Sequence, residues 1–149
     1  MRTILLVEDN DDDVFAMKRA LKGARIQNPL QLVTDGKETV LYLSGAEPYA
    51  DRTKYPLPFL LFLDLKLPYI DGLDVLSWIR NQRSLDSMAV VVLTGSAHSR
   101  DERAAQNLGA ISYLVKPPTP QSLLDVLETL KSQWTTAGSQ SPLQFAAVT

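Results

Sequence analysis

Short, nearly continuous apolar runs recur five times along the chain: ILLV (4–7), LQLV (30–33), FLLFL (59–63), AVVVL (89–93) and ISYLV (111–115). A strand that is apolar at almost every position has no face to offer water, so it belongs in a parallel sheet covered on both sides. Between the runs the apolar residues take helical spacing, first at Val14, Met17, Leu21 and Ala24, then at Val40, Leu41 and Leu43, then at Val75, Leu76 and Ile79. Two more such segments follow, with Ala104, Ala105 and Leu108, and with Leu123, Val126, Leu127, Leu130 and Trp134. Strand and helix alternate five times, which predicts a doubly wound five-stranded parallel α/β domain with right-handed crossovers. A length of 149 residues with 45% hydrophobic side chains suits one domain with a real core.

Local punctuation supports these boundaries. Ser99 and Glu102 read as a capping box opening the fourth helix, and Gly109 stands where a C-terminal glycine ends it. Thr119 and Pro120 give an N-cap and a first-position proline for the fifth helix, and Pro29 keeps the second strand late and short. The stretch SGAEPYADRTKYPLP (44–58) is a long loop, read equally as a partner contact or a surface insertion. Beyond the domain at 1–134, residues 135–149 form a short tail with no output domain, either frayed or docked through Leu143 and Phe145. Trp78 and Trp134 are expected to pack, with Trp134 also placed for an interface.

Several functions are disfavoured at once. A formal charge of −2 supplies no basic field for nucleic acid or an anionic membrane, and no local basic patch is visible. The absence of cysteine removes disulfides and thiolate chemistry, and the lone His98 builds no zinc site and reads as an exposed loop residue. The amino-terminal apolar run is too short for a signal peptide or a membrane span, so a cytoplasmic protein is expected.

Function in such a sheet sits beyond the carboxyl ends of the strands. There the first strand is followed by Glu8 and Asp9, the third by Asp64, the fourth by Thr94 and the fifth by Lys116. In the flavodoxin-like strand order 2-1-3-4-5 these four strands are neighbours, and their side chains converge on one edge. Crowded carboxylates without histidine ask for a hard cation, and Mg²⁺ with few carboxylates fits best. A carboxylate at the end of the third strand can then attack phosphorus, with the Thr94 hydroxyl and the Lys116 ammonium serving the phosphoryl oxygens. The parts make an aspartyl-phosphate site. In the run EDNDDD (8–13), Asp11, Asp12 and Asp13 fall at the start of the first helix, where acids cap backbone N–H groups and oppose the helix dipole.

The motifs LLVEDN, FLDLKLPYIDG, VVLTGSA and SYLVKPP resemble those of receiver domains of two-component response regulators, over residues 1 to 134. The resemblance implies that Asp64 accepts a phosphoryl group from a histidine kinase, and that Asp9, Asp64 and the Lys66 backbone carbonyl bind Mg²⁺, with Glu8 acting through metal-bound water. Thr94 and Tyr113 become the switch pair that couples phosphorylation to the surface of helix 4, strand 5 and helix 5. Lys66 and Ser96 face the attacking water, and the Lys66 ammonium is expected to change the dephosphorylation rate. The long loop and the wording around Asp64 and Thr94 are similar to the small response regulators paired with cyanobacterial phytochromes, which implies a phytochrome kinase and a homodimer through that surface.

Two other readings stay open. A Mg²⁺-dependent phosphatase or phosphotransferase also uses an Asp nucleophile, but wants a second acid where Lys66 stands. A phosphorylation-independent binding module would leave the acidic site vestigial, against which the set of Asp9, Asp64, Thr94 and Lys116 argues.

Overall fold

The structure is a computed structural model, and it describes residues 2–95, 100–135 and 141–147. Ser96, His98 and Ser99 lie outside the described residues, so the rate-tuning role of Ser96, the exposure of His98 and the Ser99 half of the capping box find no structural counterpart here. The elements run β1 (Ile4–Val7), α1 (Asp11–Gly23), β2 (Leu30–Val33), α2 (Gly36–Ser44), β3 (Leu60–Asp64) and α3 (Gly72–Arg80). They continue as β4 (Ala89–Thr94), α4 (Arg100–Asn107), β5 (Ser112–Val115) and α5 (Pro120–Thr135). All strand pairs are parallel and the order is β2-β1-β3-β4-β5, as the flavodoxin-like reading requires.

Successive strand residues point to opposite faces, and each face carries its own core. Ile4 and Leu6 of β1, Leu60 and Phe62 of β3, and Val91 and Leu93 of β4 pack against α1 and α5. Leu5 and Val7, Leu61 and Leu63, and Val90 and Val92 pack against α2, α3 and α4. Trp134 stands edge-on to Phe59 at 5.4 Å on the first face, and Trp78 is half-buried on the second.

The fifth helix opens as its sequence suggests: Ser122 N–H donates to Thr119 Oγ1 at 3.0 Å, and Ser122 Oγ accepts from Thr119 N–H at 2.9 Å. Gly109 takes φ 94 just past α4, a left-handed turn that lets the Ala110 N–H reach the Ala105 carbonyl at 3.0 Å.

Two expectations need correction. The buried face of α2 is Gly36, Thr39, Tyr42 and Leu43, while Val40 and Leu41 are only half-buried. Counting aliphatic residues missed Tyr42, whose ring meets Tyr49 at 5.1 Å and Tyr55 at 5.9 Å and whose hydroxyl donates to the Pro56 carbonyl at 2.8 Å. At the first helix the side-chain cap is Asn10, which accepts from Asp13 N–H at 3.0 Å, so the three aspartates occupy the first turn without making that cap.

The 44–58 loop is built around the same tyrosines. Arg52 reaches across it to donate to the carbonyls of Tyr42, Leu43 and Tyr55 at 2.8 to 3.1 Å, satisfying acceptors at the end of α2. Of the two readings of the tail, the docked one holds for its described part. Leu143 is buried in the α1/α5 core, and Phe145 forms an antiparallel bridge with Ile26. The buried Asn28 amide donates to the Arg2 and Pro142 carbonyls, each at 2.9 Å, and its oxygen accepts from Gln144 N–H at 2.7 Å.

Candidate functional site

Asp64 and Thr94 were expected just past their strands; each is instead the last residue of its strand, paired as Asp64 with Leu93 and Thr94 with Val115. The ladder therefore fixes both side chains at the carboxyl edge, where Glu8 follows β1 directly and Lys116 follows β5. Gly72 closes the loop after β3: its N–H donates to the Leu65 carbonyl at 3.1 Å, and a Cβ there would stand 2.5 Å from Leu65 Cα. Only glycine admits that approach, and it folds the start of α3 back against the strand end.

Lys116 is the hub. Its Nζ lies 3.0 Å from Glu8 Oε2, 3.0 Å from Asp64 Oδ2 and 3.1 Å from Asp13 Oδ2. Asp64 Oδ1 accepts from Lys66 N–H at 3.0 Å, and Glu8 Oε1 from Asn10 N–H at 3.2 Å. Glu8, Asp64 and Thr94 are buried, Lys116 is half-buried, and Asp9 and Lys66 are exposed. Asp13, Asp64, Lys66, Thr94 and Lys116 line a cavity of about 380 Å³. The convergence on one edge thus holds for Glu8, Asp9, Asp64, Thr94 and Lys116. Tyr113 is half-buried on β5 in register with Val92, two residues short of the one paired with Thr94.

Burial pushes the Glu8 carboxyl up to about 7, the nearby Asp64 adds to the rise, and the Lys116 ammonium opposes it. Burial works to lower Lys116, but its bonds to Glu8, Asp64 and Asp13 outweigh that and hold it well above the ordinary lysine value. The ammonium therefore stays charged and one of its acids is poised near neutrality.

The donor set suits a hard divalent cation. One ligand oxygen from each of Glu8, Asp9 and Asp64 lies within 4.8 Å of the others, with no nitrogen or sulfur in the group. Glu8 Oε2 is buried and, beyond its 3.0 Å ion pair with the Lys116 ammonium, accepts no hydrogen bond, so it has a lone pair to offer a cation or its bound water.

Asp13 is the member that sequence reasoning left out, having read it only as a helix-end acid. The available signal was its place in the first turn of a helix that begins at the site edge. Helical side chains lean toward the amino terminus, which returns Asp13 to that edge.

This chain belongs to the response regulator receiver domains: the family described as "Response regulator receiver domain" matches residues 4–128. Among curated proteins it is 33% identical to Response regulator Rcp1 of Synechocystis sp., over 89% of this chain and 88% of that one. It is 37% identical to the probable methanogenesis regulatory protein FilR2 of Methanothrix harundinacea, over 88% of this chain and 82% of that one. Among solved structures, the bacteriophytochrome response regulator RtBRR superposes with a TM-score of 0.81 at 32% identity, covering 95% of this chain and 85% of that one. The Mn²⁺-bound form of Rcp1 gives 0.72 at 31% identity, over 99% and 100% of the two chains. The phosphorylated cyanobacterial phytochrome response regulator RcpA gives 0.74 at 31% identity, over 94% and 99%. The chain is thus a receiver-domain protein related to phytochrome response regulators. Among the described residues, no helix is long and apolar enough to cross a membrane.

Proposed function

We propose that this protein is a phosphoacceptor response regulator, taking a phosphoryl group on Asp64 from a sensor histidine kinase, with a phytochrome as that kinase. The observation that carries the reading is the buried Asp64 carboxylate held at the strand end by Lys66 N–H and Lys116 Nζ, open to a cavity large enough for a phosphoryl group. In the step itself an Asp64 oxygen attacks phosphorus, a new O–P bond forms, and the donor's bond to phosphorus breaks with its electron pair leaving on the donor. Lys116 balances charge on the phosphoryl oxygens, and the Thr94 hydroxyl, which lines the same cavity, donates to one of them. Mg²⁺, held by Asp9, Asp64 and the Lys66 carbonyl with Glu8 in the outer shell, would supply neutralisation of the carboxylates and the incoming phosphate. The phosphorylated RcpA and the Mn²⁺-bound Rcp1 are relatives in which such states are named.

Partner surfaces are consistent with the reading. Phe15 is 63% exposed on α1 beside Pro118 and Pro120, an apolar rim next to the pocket suited to a kinase helix. Val115 is exposed, and Tyr113 and Val126 half-buried, on the α4/β5/α5 side, where the switch would read out and a homodimer would form. Lys66 is exposed and lines the same cavity, where its ammonium would tune hydrolysis together with Ser96.

The test is incubation with Mg²⁺ and acetyl phosphate followed by intact mass. A receiver gains one labile phosphoryl group, a phosphatase releases phosphate catalytically, and a vestigial module does neither; either of the last two outcomes ends the proposal. A pH dependence follows from Glu8. Its pKa is raised above the ordinary carboxylate value, so without metal the folded protein holds a proton that the unfolded chain lacks between 4.5 and about 7, and stability from this group falls as pH rises through that window. Metal must displace the same proton, so Mg²⁺ affinity is expected to rise by up to about tenfold between roughly pH 6 and roughly pH 8. Isothermal titration across that range checks it, and a flat affinity would contradict the assignment.

A further inference from the structure

Asp13 is not among the residues by which the family resemblance accounts for phosphoryl transfer, yet it touches the group that must serve the phosphate. An ammonium has three N–H donors, and Lys116 faces three carboxylates: Glu8, Asp64 and Asp13, all within 3.0 to 3.1 Å. Two of these contacts, to Asp64 and Asp13, are hydrogen bonds and the third, to Glu8, is an ion pair, so an arriving phosphoryl oxygen meets an ammonium already crowded by three acids. One acid has to yield, and exposure decides which: the Glu8 and Asp64 side chains are 1% and 6% exposed, whereas Asp13 is 34% exposed and lines the cavity. Once displaced, its carboxylate stays at the cavity wall as a negative charge facing the phosphoryl oxygens.

We propose that Asp13 is a positioning residue that holds Lys116 in a three-acid resting pair and thereby slows phosphoryl uptake at Asp64. The proposal rests on the phosphoacceptor reading given above. Asp13→Asn keeps the size of the side chain and removes the competing charge, leaving Lys116 with two acids and one neutral acceptor that a phosphoryl oxygen displaces more readily. Uptake from acetyl phosphate is then faster, and equilibrium binding of beryllofluoride in the presence of Mg²⁺, a phosphoryl mimic that involves no transfer, is tighter. Each changes by about three- to fivefold, the upper scale of one partly exposed ion pair.

The control for a general field effect is Asp12→Asn, which makes the same charge change one position away at an exposed residue. It is expected to leave both readouts within about twofold of the parent, being screened by solvent. Asp13→Glu restores the slow rate, because the longer carboxylate can still reach the ammonium. In the double variant with Lys116→Gln, the Asp13→Asn gain disappears, which a purely structural role for Asp13 would not produce. If Asp13→Asn is no faster than the parent, or if Asp12→Asn speeds uptake as much, the inference is overturned while the phosphoacceptor reading stands. If the parent and all variants take up neither acetyl phosphate's phosphoryl group nor beryllofluoride, both fall together.

Discussion

Replacing Asp64 by Asn removes phosphoryl uptake from acetyl phosphate altogether and, in the presence of a chelator, leaves a protein that unfolds at higher urea than the parent. The first half follows from the acceptor role proposed for Asp64, since an amide is no nucleophile toward phosphorus at neutral pH. The second half follows from charge. Glu8, Asp13 and Asp64 share one ammonium, Asp9 stands close by, and Asp64 is among the causes that drive the Glu8 carboxyl upward. Asn keeps an oxygen for the Lys66 N–H while removing a charge from a buried, over-subscribed group, so a gain of about 1 kcal/mol is expected. Mg²⁺ should narrow the difference, because the parent regains more from the cation than the variant does. A variant that still gains a phosphoryl group would move the acceptor elsewhere, and one less stable than the parent would show that the Lys116 bond outweighs the repulsion.

The second large effect lies at the other end of the sheet. Leu143→Ala is expected to destabilise the fold by about 2 to 4 kcal/mol, the range for a buried leucine whose site collapses only in part. Leu143 is 6% exposed within the α1/α5 core, and the chain around it is held by the bridge to Ile26 and the Asn28 amide. Because the tail contacts the amino-terminal ends of β1 and β2 while the acids lie at the carboxyl ends, phosphoryl uptake at low temperature should match the parent. Urea denaturation together with the acetyl phosphate assay separates these expectations. An unchanged midpoint would mean the tail leaves its seat in solution.

Much of this was legible from the chain because one physical signal dominated. Strands buried on both faces leave almost no polar residue inside a run, so β1, β3 and β4 announced themselves, and the reactive residues at their ends followed from where a parallel sheet opens. What stayed hidden depended on contacts far apart in sequence. The seat of Tyr42 is made by Tyr49 and Tyr55, which no helical period records. Leu143 is buried only because Asn28 and Ile26, more than a hundred residues earlier, offer it an edge. Asp13 carried a sufficient local explanation as a helix-end acid, and that explanation concealed its contact with Lys116.

The Asn28 amide also bears on how the chain can be rewired. One nitrogen binds the Arg2 and Pro142 carbonyls together, so the first strand's entry and the tail lie side by side. A flexible linker could run from the described tail back to Arg2, and new ends opened in the exposed turn near Arg83 would leave the strand order and the acidic edge intact. Such a circular permutant would carry the same acidic edge on a chain that starts in the middle of the present one.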